Sequence, residues 1–213
     1  MNLKINEIYY SIQGESSFAG LPCIFIRLTY CNLRCSYCDS EYTFYNGEDM
    51  DIKSIINKIK QYPCKLVQVT GGEPLFQKNC INLLRTLVKE EYNILLETSG
   101  SLSIKNVPKE VINIIDFKCP SSKMQKKNLW DNINYIKPND QIKFVIGNRE
   151  DYEWTKNKID KYNLEKKCEI LISPVYKHIK SEDIVNWILE DNLKVRFQIQ
   201  IHKEIWPEEK RGV

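Results

Sequence analysis

The apolar, β-branched runs of this chain stop at short polar or glycine-bearing turns, and the most distinctive of these turns carries three cysteines. Cys31, Cys35 and Cys38 stand at C-x3-C-x2-C spacing directly after the apolar residues 23–28. That spacing lets one short loop wrap three thiolates around a single metal centre. Three is the informative number. A structural zinc site closes with four ligands, and an electron-transfer iron–sulfur cluster normally takes four cysteines. A cluster held by three leaves one iron open to a substrate or cofactor, so the pattern points to catalysis before structure. A three-cysteine zinc site, completed by His178, His202 or another cysteine, stays open as the alternative, although zinc knuckles usually show paired C-x2-C units. Arg34 and Asn32 within the loop offer charge and hydrogen bonds that would tune such a cluster, and Tyr37 is placed to lie over its edge.

The rest of the chain alternates two periodicities. Residues 5–12, 23–28, 65–70, 93–97, 111–117, 141–146, 168–172 and 195–201 read as strands. Between them, apolar positions recur at helical spacing at 52–59, 80–88, 150–162 and 181–190, and more weakly at 129–136. Strands alternating with helices imply parallel pairing through right-handed crossovers. With residues 5–12 patterned as an edge strand, too few strands remain for a closed eightfold barrel, so the expected fold is α/β, a partial, open parallel β/α barrel, with a doubly wound sheet as the alternative. In either, the carboxyl ends of the strands share one rim where sites are built. The cysteine loop, Gly71-Gly72-Glu73-Pro74, Thr98-Ser99-Gly100, residues 118–122, Ser173-Pro174 and His202 all follow strands and so collect there.

Composition narrows the function classes. The 213 residues suit one domain spanning 1–213, with 42% hydrophobic and 28% charged residues. A net charge of +3 argues against a protein whose task is gripping a nucleic-acid backbone. The N-terminal residues lack the apolar stretch of an export signal, and no run approaches a membrane span. With eight cysteines, this points to a reducing, cytoplasmic compartment. Cys23, Cys64, Cys80, Cys119 and Cys168 read as buried small hydrophobes. Arg27, inside an apolar strand, is either a satisfied edge residue or a fork awaiting a carboxylate. For Glu15 an ordinary ion pair competes with a functional role, and for His202 a satisfied core position does. Lys118, ending an apolar strand, must point its charge at water or a partner.

Taken together, the cysteine loop and Gly71-Gly72-Glu73-Pro74 resemble the radical S-adenosylmethionine enzymes. With Tyr10-Ser11-Ile12-Gln13-Gly14-Glu15, Phe25-Ile26-Arg27-Leu28, Glu97-Thr98-Ser99-Gly100 and Gln200-Ile201-His202-Lys203, the resemblance narrows to the 7-carboxy-7-deazaguanine synthase family and covers essentially the whole chain. It implies a lyase that contracts the ring of 6-carboxy-5,6,7,8-tetrahydropterin to 7-carboxy-7-deazaguanine with loss of ammonia, in queuosine precursor biosynthesis. The implied cofactors are a 4Fe–4S cluster on Cys31, Cys35 and Cys38, S-adenosylmethionine, whose 5′-deoxyadenosyl radical takes a hydrogen from the pterin, and Mg2+ on Ser40. Tyr37, Cys38, Asp39, Gly72, Glu73, Ser99, Lys118, Pro120 and Ser121 would line the S-adenosylmethionine side, with Glu73 receiving the methionyl ammonium. Ile12, Gln13, Gly14, Glu15, Arg27, Thr70, His202 and Val213 would hold the pterin, Arg27 as the fork for its carboxylate. The resemblance further implies a flavodoxin-like or ferredoxin-like electron donor, a homodimer, and no direct contact with nucleic acid or membrane. Trp206-Pro207 and the charged tail would form a lid or a dimer contact. Three positions depart from the family pattern. Ser40 stands where threonine is usual, implying weaker magnesium dependence, while Ser16 and Tyr30 stand where glycine is usual, implying a locally different backbone. The rival readings are an activase that installs a glycyl radical on a protein partner and a zinc-stabilised binding module without catalysis.

Overall fold

The computed structural model describes residues 2–207 and 210–213. Nine strands form one open sheet: β1 (Asn2–Ile12), β2 (Pro22–Leu28), β3 (Glu48–Asp51), β4 (Leu66–Gly71), β5 (Asn93–Thr98), β6 (Ile112–Asp116), β7 (Gln141–Ile146), β8 (Glu169–Pro174) and β9 (Arg196–Phe197). Their order is β3-β1-β2-β4-β5-β6-β7-β8-β9. From β2 through β9 every pairing along this order is parallel. The expected partial barrel is therefore present, with an antiparallel flank added: β1 pairs antiparallel with β2, and β3 with β1. The reason is connection length. Only residues 13–21 join β1 to β2, too few for the crossover that a parallel pair needs.

The helices are α1 (Ile52–Ile59), α2 (Cys80–Lys89), α3 (Arg149–Tyr162), α4 (Ser181–Glu190) and α5 (Ile201–Ile205). The first four follow the predicted periodicities. Asp51 caps α1 by accepting from the Ser54 amide at 2.7 Å. Two expectations fail at the edges. Residues 130–135 form a 3-10 helix rather than an α-helix, where the Asn132 side chain serves Gly100, Leu102 and Ile104 of a neighbouring loop. The strand expected over 195–201 lasts only two residues, because the chain leaves the sheet edge and turns into α5, which carries His202.

The two faces of the sheet explain where the site lies. Alternate side chains of each strand point to opposite faces. The outer face packs Ile26, Val67, Val69, Ile94 and Leu96 against Ile55, Ile59, Leu83 and Leu84 of α1 and α2, all buried. Further along it packs Ile142, Phe144, Ile170 and Ile172 against Tyr152, Ile159, Ile184 and Ile188 of α3 and α4. The inner face carries a smaller apolar cluster of Cys23, Phe25, Leu66, Leu95, Ile114 and Leu171. Two residues on along each strand, the same face turns polar: Arg27, Gln68, Glu97, Asp116 and Ser173. Lys143 joins them from β7. An apolar plug thus underlies a polar ring at the carboxyl ends of the parallel strands. The 13–21 loop crosses this face, since Glu15 and Ser17 bond to Lys143 and Gln141.

Candidate active site

The cysteine loop sits on the rim after β2, stapled to the turn after β6. The Ser36 amide donates to the Ser122 carbonyl at 3.1 Å, and its hydroxyl to the Ser121 carbonyl at 2.6 Å. Cys31, Cys35 and Cys38 are all free and half-buried. Burial raises the Cys31 and Cys35 thiols, Cys35 to about 11, and the Lys118 ammonium opposes the rise. Among the described residues no three His, Cys, Asp or Glu side chains stand close enough to share a single ion. A four-iron cluster is far larger than one ion and separates its ligands accordingly. Three reachable thiols on one loop, with a cation at their side, fit such a cluster. Arg34 donates to the Cys31 and Leu33 carbonyls at 2.8 and 2.6 Å and lies over the Phe44 ring, while Asn32 pairs with Ser101. Both hold the loop in shape. The Tyr37 hydroxyl donates to the Val145 carbonyl at 3.4 Å, which ties the loop to β7.

The turn after β4 is pressed against this loop. A Cβ on Gly72 would stand 2.4 Å from the Tyr30 carbonyl oxygen and 2.7 Å from the Cys31 Cβ, so only glycine lets the turn approach. Glu73 is fully buried. Its carboxylate accepts from the Thr98 hydroxyl, the Ser99 amide and hydroxyl, and the Leu75 amide, all at 2.6–3.0 Å. These donors satisfy both oxygens and weld the β4 turn to the end of β5. The methionyl-ammonium role given to Glu73 by resemblance thus meets a carboxylate already engaged by its own chain, and the backbone of the turn is what faces the loop. Ser99 is likewise engaged, while Pro120 and Ser121 lie on the turn that staples the cysteine loop, with Ser121 held by Asp151. Lys118 pairs with Asp116 at 2.9 Å, and Asp116 Oδ1 is buried without a partner.

On the other side of the ring, buried polar side chains form one connected network. Lys143 Nζ donates to Glu15 Oε2 at 2.7 Å and Glu97 Oε1 at 2.6 Å, and lies 3.5 Å from Asp116 Oδ2. Glu97 accepts from Gln68 at 2.8 Å, Gln68 accepts from Gln13, and Glu15 accepts from Gln200 at 2.7 Å. Burial pushes Glu15 up, but Lys143, His202 and the Gln200 hydrogen bond outweigh it and hold the carboxyl at about 2. Glu97 goes the other way, raised by burial against the pull of Lys143. Burial lowers Lys143, and the surrounding carboxylates carry it well above its usual range. Glu15 is therefore neither solvated nor a helix-edge partner; it anchors the 13–21 loop to the ring.

Arg27 has both of the fates open to it. Its Nε donates to Glu7 at 2.8 Å and one Nη to the Tyr9 hydroxyl at 3.0 Å, while Glu7 also receives the Tyr42 hydroxyl. The guanidinium plane is thereby fixed, and Nη1 is left without a hydrogen bond among the described residues. Thr70 stands beside Arg27 in the sheet register. His202 packs on Gly14, where a Cβ would meet its Nδ1 at 2.1 Å, and the Gly14 carbonyl accepts from the Ile201 amide. Burial lowers the His202 pKa, with Glu15 opposing. Lys203 pairs with Asp39 at 2.7 Å, so α5 spans from the 13–21 loop to the cysteine loop. The last residues come back beside Arg27: Arg211 lies 3.3 Å over the Tyr42 ring, Gly212 runs along Tyr9, and Val213 is half-buried. Ser40 Oγ stands 3.8 Å from Cys38 Sγ. Ile12 closes β1 before this loop. Glu208 and Glu209 of the charged tail lie outside the described residues.

Sequence reasoning missed Gln68, Lys143, Asp116 and Gln198, and did not single out Glu97 within its motif. For all but Gln198 the shared signal is a lone polar residue at an inward position of an otherwise apolar strand; Gln198 lies just past β9 between Arg196 and Gln200. Ser16 and Tyr30 have φ of 65° and 78°, the left-handed region that glycine adopts freely. The side chains changed while the backbone kept a glycine-type conformation, contrary to the local difference expected. Of the remaining cysteines, Cys23, Cys80 and Cys119 are buried as expected, whereas Cys64 and Cys168 are half-exposed.

An open parallel sheet with a three-thiol loop after its first parallel strand defines a radical S-adenosylmethionine protein, and residues 25–117 match the Radical SAM superfamily. Such proteins use a 4Fe–4S cluster and S-adenosylmethionine. The fold resembles the crystal structure of QueE from Escherichia coli at a TM-score of 0.79, with 22% identity over 94% of each chain. It also resembles Streptococcus suis SuiB bound to S-adenosylmethionine, at 0.57 with 17% identity over 80% of this chain and 48% of that one. The 7-carboxy-7-deazaguanine synthase of Koribacter versatilis is 42% identical over 99% of this chain and 100% of its own. That of Chlorobaculum tepidum is 40% identical over 99% and 97%. The chain belongs to the 7-carboxy-7-deazaguanine synthase family. Among the described residues no helix is long and apolar enough to cross a membrane.

Proposed function

We propose that the chain contracts 6-carboxy-5,6,7,8-tetrahydropterin to 7-carboxy-7-deazaguanine with release of ammonia, as a carbon–nitrogen lyase. The observation that carries this reading is the full-length match to synthases of that name. It is supported by the closeness on one rim of the three-thiol loop and an oriented Arg27. When bound, the cluster and S-adenosylmethionine supply a carbon radical that removes one hydrogen from the substrate and later returns it. The protein's own part is to place one C–H bond and exclude other hydrogen donors.

In this reading Cys31, Cys35 and Cys38 hold the cluster. The Gly72 turn, Tyr37, Asp39, Ser99, Lys118, Pro120 and Ser121 surround S-adenosylmethionine, and the Glu73 carboxylate acts by fixing that turn. Arg27, its plane set by Glu7 and Tyr9, receives the pterin carboxylate as a charge-assisted pair. Ile12, Gly14, Thr70 and His202 line the ring edge, with Gln13 and Glu15 holding the loop that carries them. Val213 closes the site beside Arg27. Ser40 offers one hydroxyl to Mg2+, which keeps several waters and takes oxygen ligands. By resemblance to the family, a flavodoxin-like or ferredoxin-like protein delivers the electron and a homodimer is the working form; the cysteine content supports the reducing cytoplasm as its compartment. Reconstituted protein supplied anaerobically with reductant, S-adenosylmethionine, magnesium and the pterin should yield the deazaguanine by mass spectrometry. Turnover of S-adenosylmethionine without that product would reject the substrate assignment.

A further inference from the structure

Five glutamines lie on or beside the inner face, and four of them have their amides engaged. Gln13 bonds to Gln68 and receives the Glu15 amide. Gln68 is held between Gln13 and Glu97. Gln141 and Ser17 bond reciprocally, and Gln200 donates to Glu15. Gln198 differs. It is nine-tenths buried, yet neither its Nε2 nor its Oε1 has a hydrogen-bond partner. Among the described residues it is the one side chain with both polar atoms buried and unpartnered.

Its direction follows from its neighbours. The Gln198 amide nitrogen of the backbone donates to the Ile172 carbonyl at 2.9 Å, which fixes the residue beside the end of β8. Phe197 packs with the outer core. Gln200, two residues on, reaches Glu15 in the inner ring. The ladder to β8 continues through the Gln198 amide, so the Gln198 side chain leaves on the face opposite Phe197, the inner face on which Gln200 reaches Glu15, and its amide is aimed into the ring. A buried amide without partners is costly to fold, and such a group is retained where something else completes its hydrogen bonds.

We infer that Gln198 is a substrate-recognition residue, whose side-by-side donor and acceptor take the complementary N–H and C=O of the heterocycle's lactam edge. A glutamine amide offers that pair in one plane, as it does when it reads a base edge bidentately. Arg27 then holds the substrate's carboxylate and Gln198 its ring, and the two contacts together set the orientation of the C–H bond. The inference rests on the proposed reaction.

Substitution separates this role from a structural one, because the two predict opposite effects. Gln198→Leu removes an unsatisfied buried amide, so the substrate-free protein should melt at the same temperature or higher. The same variant should raise the KM for the pterin at least tenfold and leave the KM for S-adenosylmethionine unchanged. Calorimetric titration with 7-carboxy-7-deazaguanine should show the matching loss of affinity without turnover. Gln198→Met, closer in shape, serves as a second variant if the leucine does not fold. An unchanged pterin KM and product affinity, with or without a lower melting temperature, would overturn the inference while leaving the reaction intact. A wild-type protein that binds neither pterin nor product would instead overturn the reaction, and this assignment with it.

Discussion

The two sides of the rim are built in different ways. On the cysteine side, backbone does most of the positioning: glycine lets the β4 turn meet the Tyr30 carbonyl, and Glu73 ties that turn to main-chain and hydroxyl donors. On the other side, long side chains from separate strands meet in a buried network around Lys143. A backbone-built site tolerates little change in shape. A side-chain network tolerates shape changes but depends on charge balance. The difference teaches where each kind of substitution should hurt.

The largest effect should come from adding volume where backbone meets backbone. Gly72→Ala sets a methyl against the Tyr30 carbonyl and the Cys31 Cβ, and should cut product formation about 100-fold, with bound iron falling in parallel. Glu73→Gln comes next. It replaces an acceptor-only carboxylate with an amide whose NH2 faces donor groups on one side, and should destabilise the fold by about 3 kcal/mol in urea titrations. If that variant is as stable as the parent, the turn is not held as described.

On the side-chain side, Glu7→Gln should loosen Arg27 without removing it, raising the pterin KM about tenfold, or ~1.4 kcal/mol, with S-adenosylmethionine binding unchanged. Acidification should act here first. His202 has a lowered folded pKa, so the unfolded chain binds its proton first and stability falls as pH drops through about 6.5. Glu15 has a folded pKa of about 2 against 4.5 unfolded, so its contribution is full above about 4.5 and is lost progressively as pH falls from there through 2. Hydrogen-exchange protection of residues 198–206, corrected for the intrinsic rate at each pH, should therefore fall between pH 7 and about 5.5 while β4 and β5 keep theirs. The smallest effect belongs to Tyr30→Gly. Relief of left-handed strain, about 1–2 kcal/mol, is offset by glycine's entropy, about 0.5–1 kcal/mol, for a net gain of about 0–1.5 kcal/mol in thermal unfolding.

The same contrast explains what was legible in the sequence. The cysteine side is written contiguously: three thiols in eight residues and a Gly-Gly-Glu-Pro turn, each readable without knowing the fold. Helices α1 to α4 and the parallel strands were equally plain, because each repeats one periodicity. The Lys143 network was not. Gln68, Glu97, Asp116 and Lys143 are single residues on four strands, and only the sheet register places them on one face. Arg27 drew notice as an oddity, but Glu7 and Tyr9, which orient it, sit in a strand whose antiparallel partner could not be read from alternating patterns. The two-residue β9 and the turn into α5 escaped because residues 195–201 carry a strand pattern that the chain abandons halfway, where Gln198 faces inward.

The central claim is that one side makes the radical and the other aims it, and a paired product measurement tests it most directly. Reconstituted wild type, Cys35→Ala and Arg27→Ala would be incubated anaerobically with reductant, S-adenosylmethionine, magnesium and the pterin, and both 5′-deoxyadenosine and the deazaguanine quantified. The account predicts abundant deazaguanine from wild type, neither compound from Cys35→Ala, and 5′-deoxyadenosine without deazaguanine from Arg27→Ala. Deazaguanine from Cys35→Ala, or undiminished deazaguanine from Arg27→Ala, would contradict it.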